Sequence, residues 1–146
     1  MVADSFTLDI QRFADQFEGG AEEAIRGTSI SLFSAIIKSS PVDEGRFRSN
    51  WFASGASIDT GTTENVVLES QSISTMIDKI NGLQDWSTFT LTNNLPYSEV
   101  IEFGGFRDGP NTVGGFSRQA PTGVLRVNVT RFNALLEQEA RRSLPR

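Results

Sequence analysis

Apolar residues recur along this chain with a helical period in some stretches and alternate in others, and the change of period divides it into elements. Leu8, Ile10, Phe13 and Phe17 give residues 7–17 the spacing of a short amphipathic helix. Gly19-Gly20 interrupts it, because glycine is costly inside a helix. A second helix spans 21–39, with Ile25, Leu32, Phe33, Ile36 and Ile37 as its stripe. Pro41 forces its stop, since the residue before a proline is pushed out of the helical region. Asp43-Glu44-Gly45 reads as a turn. Over 46–58, Phe47, Ser49, Trp51 and Ala53 alternate with Arg46, Arg48, Asn50 and Phe52, which predicts a strand. Gly55 is placed to allow a bulge. Residues 60–63 read as a polar turn and 65–68 as a short strand.

The helical period returns over 72–82, where Ile73, Met76, Ile77 and Ile80 share a face and Gly82 is the expected C-terminal glycine. Residues 86–92 alternate Trp and Thr against Ser87, Phe89 and Leu91, a strand pattern. Asn93-Asn94 ends it, and Pro96 opens a short helix over 97–102. Residues 104–117, with glycines at 104, 105, 109, 114 and 115, read as a long loop. Pro121 is expected in the first turn of a final helix striped by Leu125, Val129, Phe132, Leu136 and Ala140. Leu125, Val127 and Val129 also alternate, so a strand over 124–129 followed by a helix from Thr130 is the competing reading. Together these elements predict a single α+β domain over 1–146. N-terminal helices pack on a small, mostly antiparallel sheet, a C-terminal helix closes it, and residues 1–20 form an N-terminal helix or arm.

Composition narrows the chemistry. A chain of 146 residues with 38% hydrophobic residues and 11 Phe suffices for a core, and a globular chain of this size buries roughly 68–70% of its unfolded surface. There is no cysteine and no histidine. Disulfides, thiolate metal sites and cysteine nucleophiles are excluded, and the commonest general base and transition-metal ligand are missing. The formal net charge is -5, the wrong sign for a free nucleic-acid binder but suited to a surface past which DNA must slide. No apolar run reaches the roughly 20 residues of a membrane span, so no membrane partner is expected. The start of the chain is acidic and interrupted, unlike a signal peptide.

Candidate chemistry is sparse. Arg46 and Arg48, beside Trp51, read either as a pair bridging to carboxylates of a neighbouring subunit or as solvated strand arginines beside a core tryptophan. Glu99 and Glu102 stand one helical turn apart. Paired carboxylates can perform acid–base work or hold a hard cation, but nothing nearby supplies a nucleophile, and an ion-pair role toward Arg46 or a solvated face fits better. The glycines of 104–115 lack the GxxxxGK[ST] spacing of a phosphate loop. Ser40 has Lys38 near it but no recognisable catalytic spacing, and Ser117 has neither a histidine nor a lysine to activate it. Gln119-Ala120-Pro121 reads as a structural element in which Gln119 bonds the open donors of a helix start. No catalytic, metal or cofactor residue is assigned.

Three blocks remain: Pro41-Val42-Asp43-Glu44-Gly45-Arg46 with Trp51; Asn94-Leu95-Pro96-Tyr97 with Glu102 and Gly104; and Gln119-Ala120-Pro121 with Gly123. In this order and spacing the chain resembles the tailed-bacteriophage family of small head–tail joining proteins, also called minor tail, neck or tail-completion proteins, over residues 5–140. It departs from the family pattern at Glu44, where threonine is expected, and in the long Gly-rich insertion before Ser117. The resemblance implies a non-enzymatic structural protein of the virion, assembled in the host cytoplasm into a homo-oligomeric ring, a hexamer, at the head–tail junction. Its partners would be copies of itself, the head-completion or connector protein above, and the tail terminator or tail-tube protein below. DNA would pass through without specific binding. The expected subunit contacts are Arg46, Arg48, Trp51, Tyr97, Glu99, Glu102, Arg107 and Arg118. The expected structural turns are Pro41, Gly45, Pro96, Gly104, Pro121 and Gly123. Alternatives are a tail terminator or tail-tube component, a small hydrolase using Ser40 or the Glu99/Glu102 pair, and an adaptor that leaves before maturation.

Overall fold

Helix α1 (Ala21–Ser39) is the helix against which the other long helices pack. The structure, a computed structural model, describes residues 4–9 and 20–143. Ile25, Leu32, Phe33, Ile36 and Ile37, the stripe read from the sequence, are all buried on α1. Each such side chain contributes roughly 1.5–3 kcal/mol of burial. Thr28 and Ser29 also lie in the core and satisfy their hydroxyls on the carbonyls of Ala24 and Ile25. The helix stops at Ser40, whose ψ of 133 is extended, as the following Pro41 requires.

A three-stranded antiparallel sheet lies beside α1. Strands β1 (Asp4–Asp9), β2 (Trp51–Ser54) and β3 (Thr88–Asn93) are ordered β1-β3-β2. The register sets Leu91 opposite Ala53 and Thr90 opposite Ser54. Phe89 and Leu91 on one face and Thr90 and Thr92 on the other are all fully buried, so β3 is covered on both sides. The fold is mixed α+β, as its alternating periods imply.

Three expectations for the first half of the chain change. Residues 7–9 belong to β1 rather than to a helix, and the rest of that expected helix, 10–17, lies outside the described residues. Pairing along the Thr-rich β3 overrides a helical spacing that local residues only weakly support. The strand expected over 46–58 is instead a 3-10 turn, Arg48–Asn50, followed by the short β2. Ser49 Oγ donates to the Gly45 carbonyl and Asn50 Nδ2 to the Arg46 carbonyl, and these i to i−4 bonds wind the chain where alternation suggested extension. Residues 65–68 form no strand; they lead into α2 (Glu69–Gly82), which starts three residues before the expected 72.

Helix α2 buries Met76 and Ile80 and packs on α1. Its end is held from α1. Arg26 donates to the carbonyls of Ile80 at 2.5 Å and Leu83 at 2.6 Å, pairs with Glu22 at 2.9 Å, and lies over the Phe89 ring. Helix α2 ends at Gly82, as expected, though without a left-handed turn there, and Arg26 caps carbonyls at its end. Helix α3 (Ser98–Phe103) follows the Pro96-Tyr97 turn and ends at Gly104. The supposed loop 104–117 contains a hairpin, β4 (Thr112–Val113) and β5 (Phe116–Ser117), turning on Gly114-Gly115. The last segment is two helices, α4 (Leu125–Val129) and α5 (Phe132–Ser143). Residues 125–129 are therefore helical, and the strand reading is wrong there. Helix α5 crosses α1 at Gly27, where a Cβ would stand 2.6 Å from Glu139 Oε2. Among the described residues no helix is long and apolar enough to cross a membrane.

Candidate functional site

The three blocks meet. Glu102, on α3, is only 1% exposed. Its carboxylate accepts the backbone N–H groups of Val124 (2.7 Å), Leu125 (2.8 Å) and Arg126 (2.9 Å), the open donors at the start of α4. Arg126 Nε donates to the same carboxylate at 3.1 Å, and Arg126 Nη2 donates to the Glu102 carbonyl at 2.5 Å. A carboxylate with several charge-assisted donors tolerates burial that would otherwise be costly. The expected ion pair between Glu102 and Arg46 does not form, and Glu102 has no surface to offer a neighbour.

Gly123 makes this arrangement possible. Its φ is +84, and a Cβ would lie 2.8 Å from the Glu102 carbonyl oxygen and 3.0 Å from its carboxyl group. Only glycine accepts both the left-handed backbone and the close approach. Pro121 is not a first-turn proline; it bridges to Gly123 ahead of the helix. Gln119 does not reach the helix start either. Its amide pairs with the backbone of Val42, Oε1 accepting the Val42 N–H at 2.8 Å and Nε2 donating to the Val42 carbonyl at 2.8 Å. A side chain thereby stands in for a strand and ties the third block to the first.

The first block is tied inward through Trp51. Its indole N–H donates to Ser40 Oγ at 2.7 Å, and Ser40 donates to the Ile36 carbonyl at the end of α1. Trp51 is buried and belongs to the core rather than to a subunit surface. Phe47 meets Trp51 edge-on, centroids 5.5 Å apart, and tilts against Tyr97 at 6.2 Å. Asn93 Nδ2, just before the second block, donates to the carbonyl of Phe47, just after the Pro41–Arg46 run of the first. Asn50 exchanges bonds with Thr63, and Asn94 donates to the carbonyls of Asp59 and Gly61. The exposed 56–68 segment is thus fastened by the amide side chains of Asn50 and Asn94 as well as by the Arg46–Glu64 pair.

Between the blocks opens a pocket of about 500 Å³. Pro41, Phe47 and Ile101 supply apolar wall, Tyr97 and Gln119 polar wall, and Phe106 and Thr112 from the glycine-rich segment close one side. Asp43, Glu44 and Arg46 stand at it as charged groups. Arg46 pairs with Glu64 at 2.8 Å across exposed surface, worth at most about 1 kcal/mol. Gly45 keeps its φ of +85 where a Cβ would strike Val66. Burial raises the Tyr97 phenol above its ordinary 10.0; Arg46 opposes this and Glu64 and Glu44 reinforce it.

The remaining expected contacts are scattered. Arg48 is half-buried with its Nε unpartnered among the described residues. Glu99 and Arg107 are exposed. Arg118 is exposed and donates through Nε to the Pro110 carbonyl at 2.8 Å, bracing the hairpin segment. Pro41, Pro96 and Gly104 sit at element ends, as expected for structural turns. Ser40 is engaged by Trp51 and Ile36, so its hydroxyl is not poised as a nucleophile. Sequence reasoning missed the Gln119–Val42 pairing and the cap role of Glu102. It also missed the hairpin, which Val113-Gly114-Gly115-Phe116 signals as a two-residue Gly-Gly turn. Among the described residues no group of three or more acidic side chains is gathered to hold a metal. Scans of family models, curated proteins and solved structures find nothing that matches this chain.

Proposed function

We propose that this chain is a structural subunit of a tailed-phage particle, closing with copies of itself into a hexameric ring at the head–tail junction. The observation that carries the reading is a coincidence of two independent sets. The residues on which the resemblance rests, in blocks 78 positions apart from Pro41 to Gln119 (119 − 41), are those that lock to one another through Glu102, Gly123, Gln119 and Trp51. Glu102, Gln119 and Asn94, polar residues of the second and third blocks, are spent on backbone rather than on a ligand.

Such a joint suits a ring, in which each subunit must hold two faces at a fixed angle. The net charge of -5 fits a channel past which DNA slides without sticking. The connector above and the tail terminator or tube below would meet the two ends. The test is the mass of the purified protein in solution and within purified particles, together with its position in the particle by labelling and electron microscopy. A stoichiometric ring at the neck is the expected result. Absence from virions, or a position along the tail tube, would overturn it.

A further inference from the structure

Helix α3 carries two unlike surfaces. Ile101 faces the pocket, and Phe103, two residues on, lies about 200° around the helix. Phe103 is 62% exposed, unusual for a phenylalanine. The Arg126 guanidinium lies over its ring at 5.0 Å, and Val127, the next residue, is 43% exposed. Glu99 is exposed one turn before Phe103. This side is therefore an aromatic knob flanked by one cation and one carboxylate.

The opposite side is a socket with the matching inventory. Its apolar wall is Phe47 and Ile101, its carboxylates are Asp43 and Glu44, and its one cation, Arg46, is already paired with Glu64. Asp43 and Glu44 are exposed and have no ion-pair partner among the described residues. A volume of about 500 Å³ lies within the range of specific ligand pockets and is ample for one aromatic side chain.

We infer that the two sides are the halves of one heterologous contact: the Phe103–Arg126 knob of one copy enters the Tyr97 pocket of the next. Arg126, whose Nε and Nη2 stay on Glu102, meets Asp43 and Glu44 through its exposed edge. Because the two patches face opposite ways, the contact is head-to-tail and generates a ring or an open filament rather than a reciprocal two-fold dimer. The inference rests on the ring reading and adds to it which surfaces touch. A second copy is the occupant because the exposed Arg126 cation is opposite in sign to the unpaired Asp43 and Glu44, and the two patches face opposite ways on one short helix.

The chain has no cysteine, so introduced thiols report without background. The variants Glu44→Cys and Phe103→Cys are made singly and together, with Asp43→Cys and Val127→Cys as a second pair. Under mild oxidation the double variants should yield a ladder of linked copies. A mixture of the two single variants should give linked pairs only, and each single variant alone should stay unlinked. Disulfide dimers from a single variant would mean a two-fold contact and overturn the inference. Wild-type protein that sediments as a ring, while neither pair cross-links, would overturn the inference and leave the ring reading standing. Wild-type protein that never associates and is absent from particles would overturn both. Reversing the rim with Asp43→Lys and Glu44→Lys should abolish the ring peak without changing the circular dichroism of the monomer. A ring that persists in that variant would mean that the knob does not use this socket.

Discussion

Gly123 and Glu102 are fitted to each other. The missing side chain of Gly123 leaves room for the Glu102 carbonyl and carboxyl groups, which a Cβ would meet at 2.8 and 3.0 Å. Gly123→Ala should therefore lower stability by about 2 kcal/mol or more, from the left-handed backbone and the clash together. Urea denaturation of the two proteins measures the difference. A loss below about 0.5 kcal/mol would show that the turn relaxes freely.

Glu102→Ala strands three backbone donors at the start of α4, two of them buried. With each unsatisfied buried group costing about 1–3 kcal/mol, a total of about 3 kcal/mol is expected. The double variant with Gly123→Ala should lose less than the sum, by about 0.5 kcal/mol or more, because the truncated side chain no longer opposes the new methyl group. Strict additivity would contradict the packing described.

Gln119→Ala removes both bonds to Val42 at an exposed site. The global cost should be modest, about 1–2 kcal/mol. The sharper readout is hydrogen exchange, in which the Val42 amide should lose its protection while the α1 amides keep theirs.

Trp51→Phe loses the pyrrole part of a buried indole together with its N–H bond to Ser40, so a cavity cost adds to about 1 kcal/mol for the bond. Ser40→Ala leaves the buried indole N–H without an acceptor, at about 1–3 kcal/mol. Thermal unfolding measures both, and a Ser40→Ala protein as stable as the wild type would show that the N–H bond contributes nothing.

Tyr97 is the single tyrosine, so ultraviolet absorbance follows its ionisation alone. Its midpoint should lie above the ordinary 10.0, chiefly because burial disfavours the phenolate. Removing the Arg46 cation with Arg46→Leu should raise it further, and Glu64→Gln should lower it. The folded state holds this proton more tightly than the unfolded chain. Its contribution to stability is therefore complete below pH 10.0 and declines as pH rises through the elevated midpoint.

The helices were legible where packing follows the local period. Residues 21–39 are the clearest case, with a stripe that is wholly buried and a stop imposed by Pro41. What misled was structure imposed from far away. Residues 46–50 alternate like a strand, yet Ser49 and Asn50 bond back to Gly45 and Arg46, and the turn wins. Residues 124–129 read equally as strand or helix because the deciding group, Glu102, lies 22 positions upstream of Val124. The same distance hid the site. Glu102 spaced from Glu99 looks like a surface pair, and nothing near it announces that it will be buried under α4. Pro41, Pro96 and Gly45 were legible because their constraint is in their own backbone.

The pairing of Val42 with Gln119 also has a temporal meaning. The two are separated by 77 residues, and at synthesis rates of 5–20 residues per second the ribosome needs about 4–15 s to pass from one to the other. Throughout that interval a nascent chain carries the first wall of the pocket without the last. If copies associate through this pocket as proposed, a half-made subunit offers them no finished socket, and vectorial synthesis itself keeps self-association waiting until Gln119 has been added.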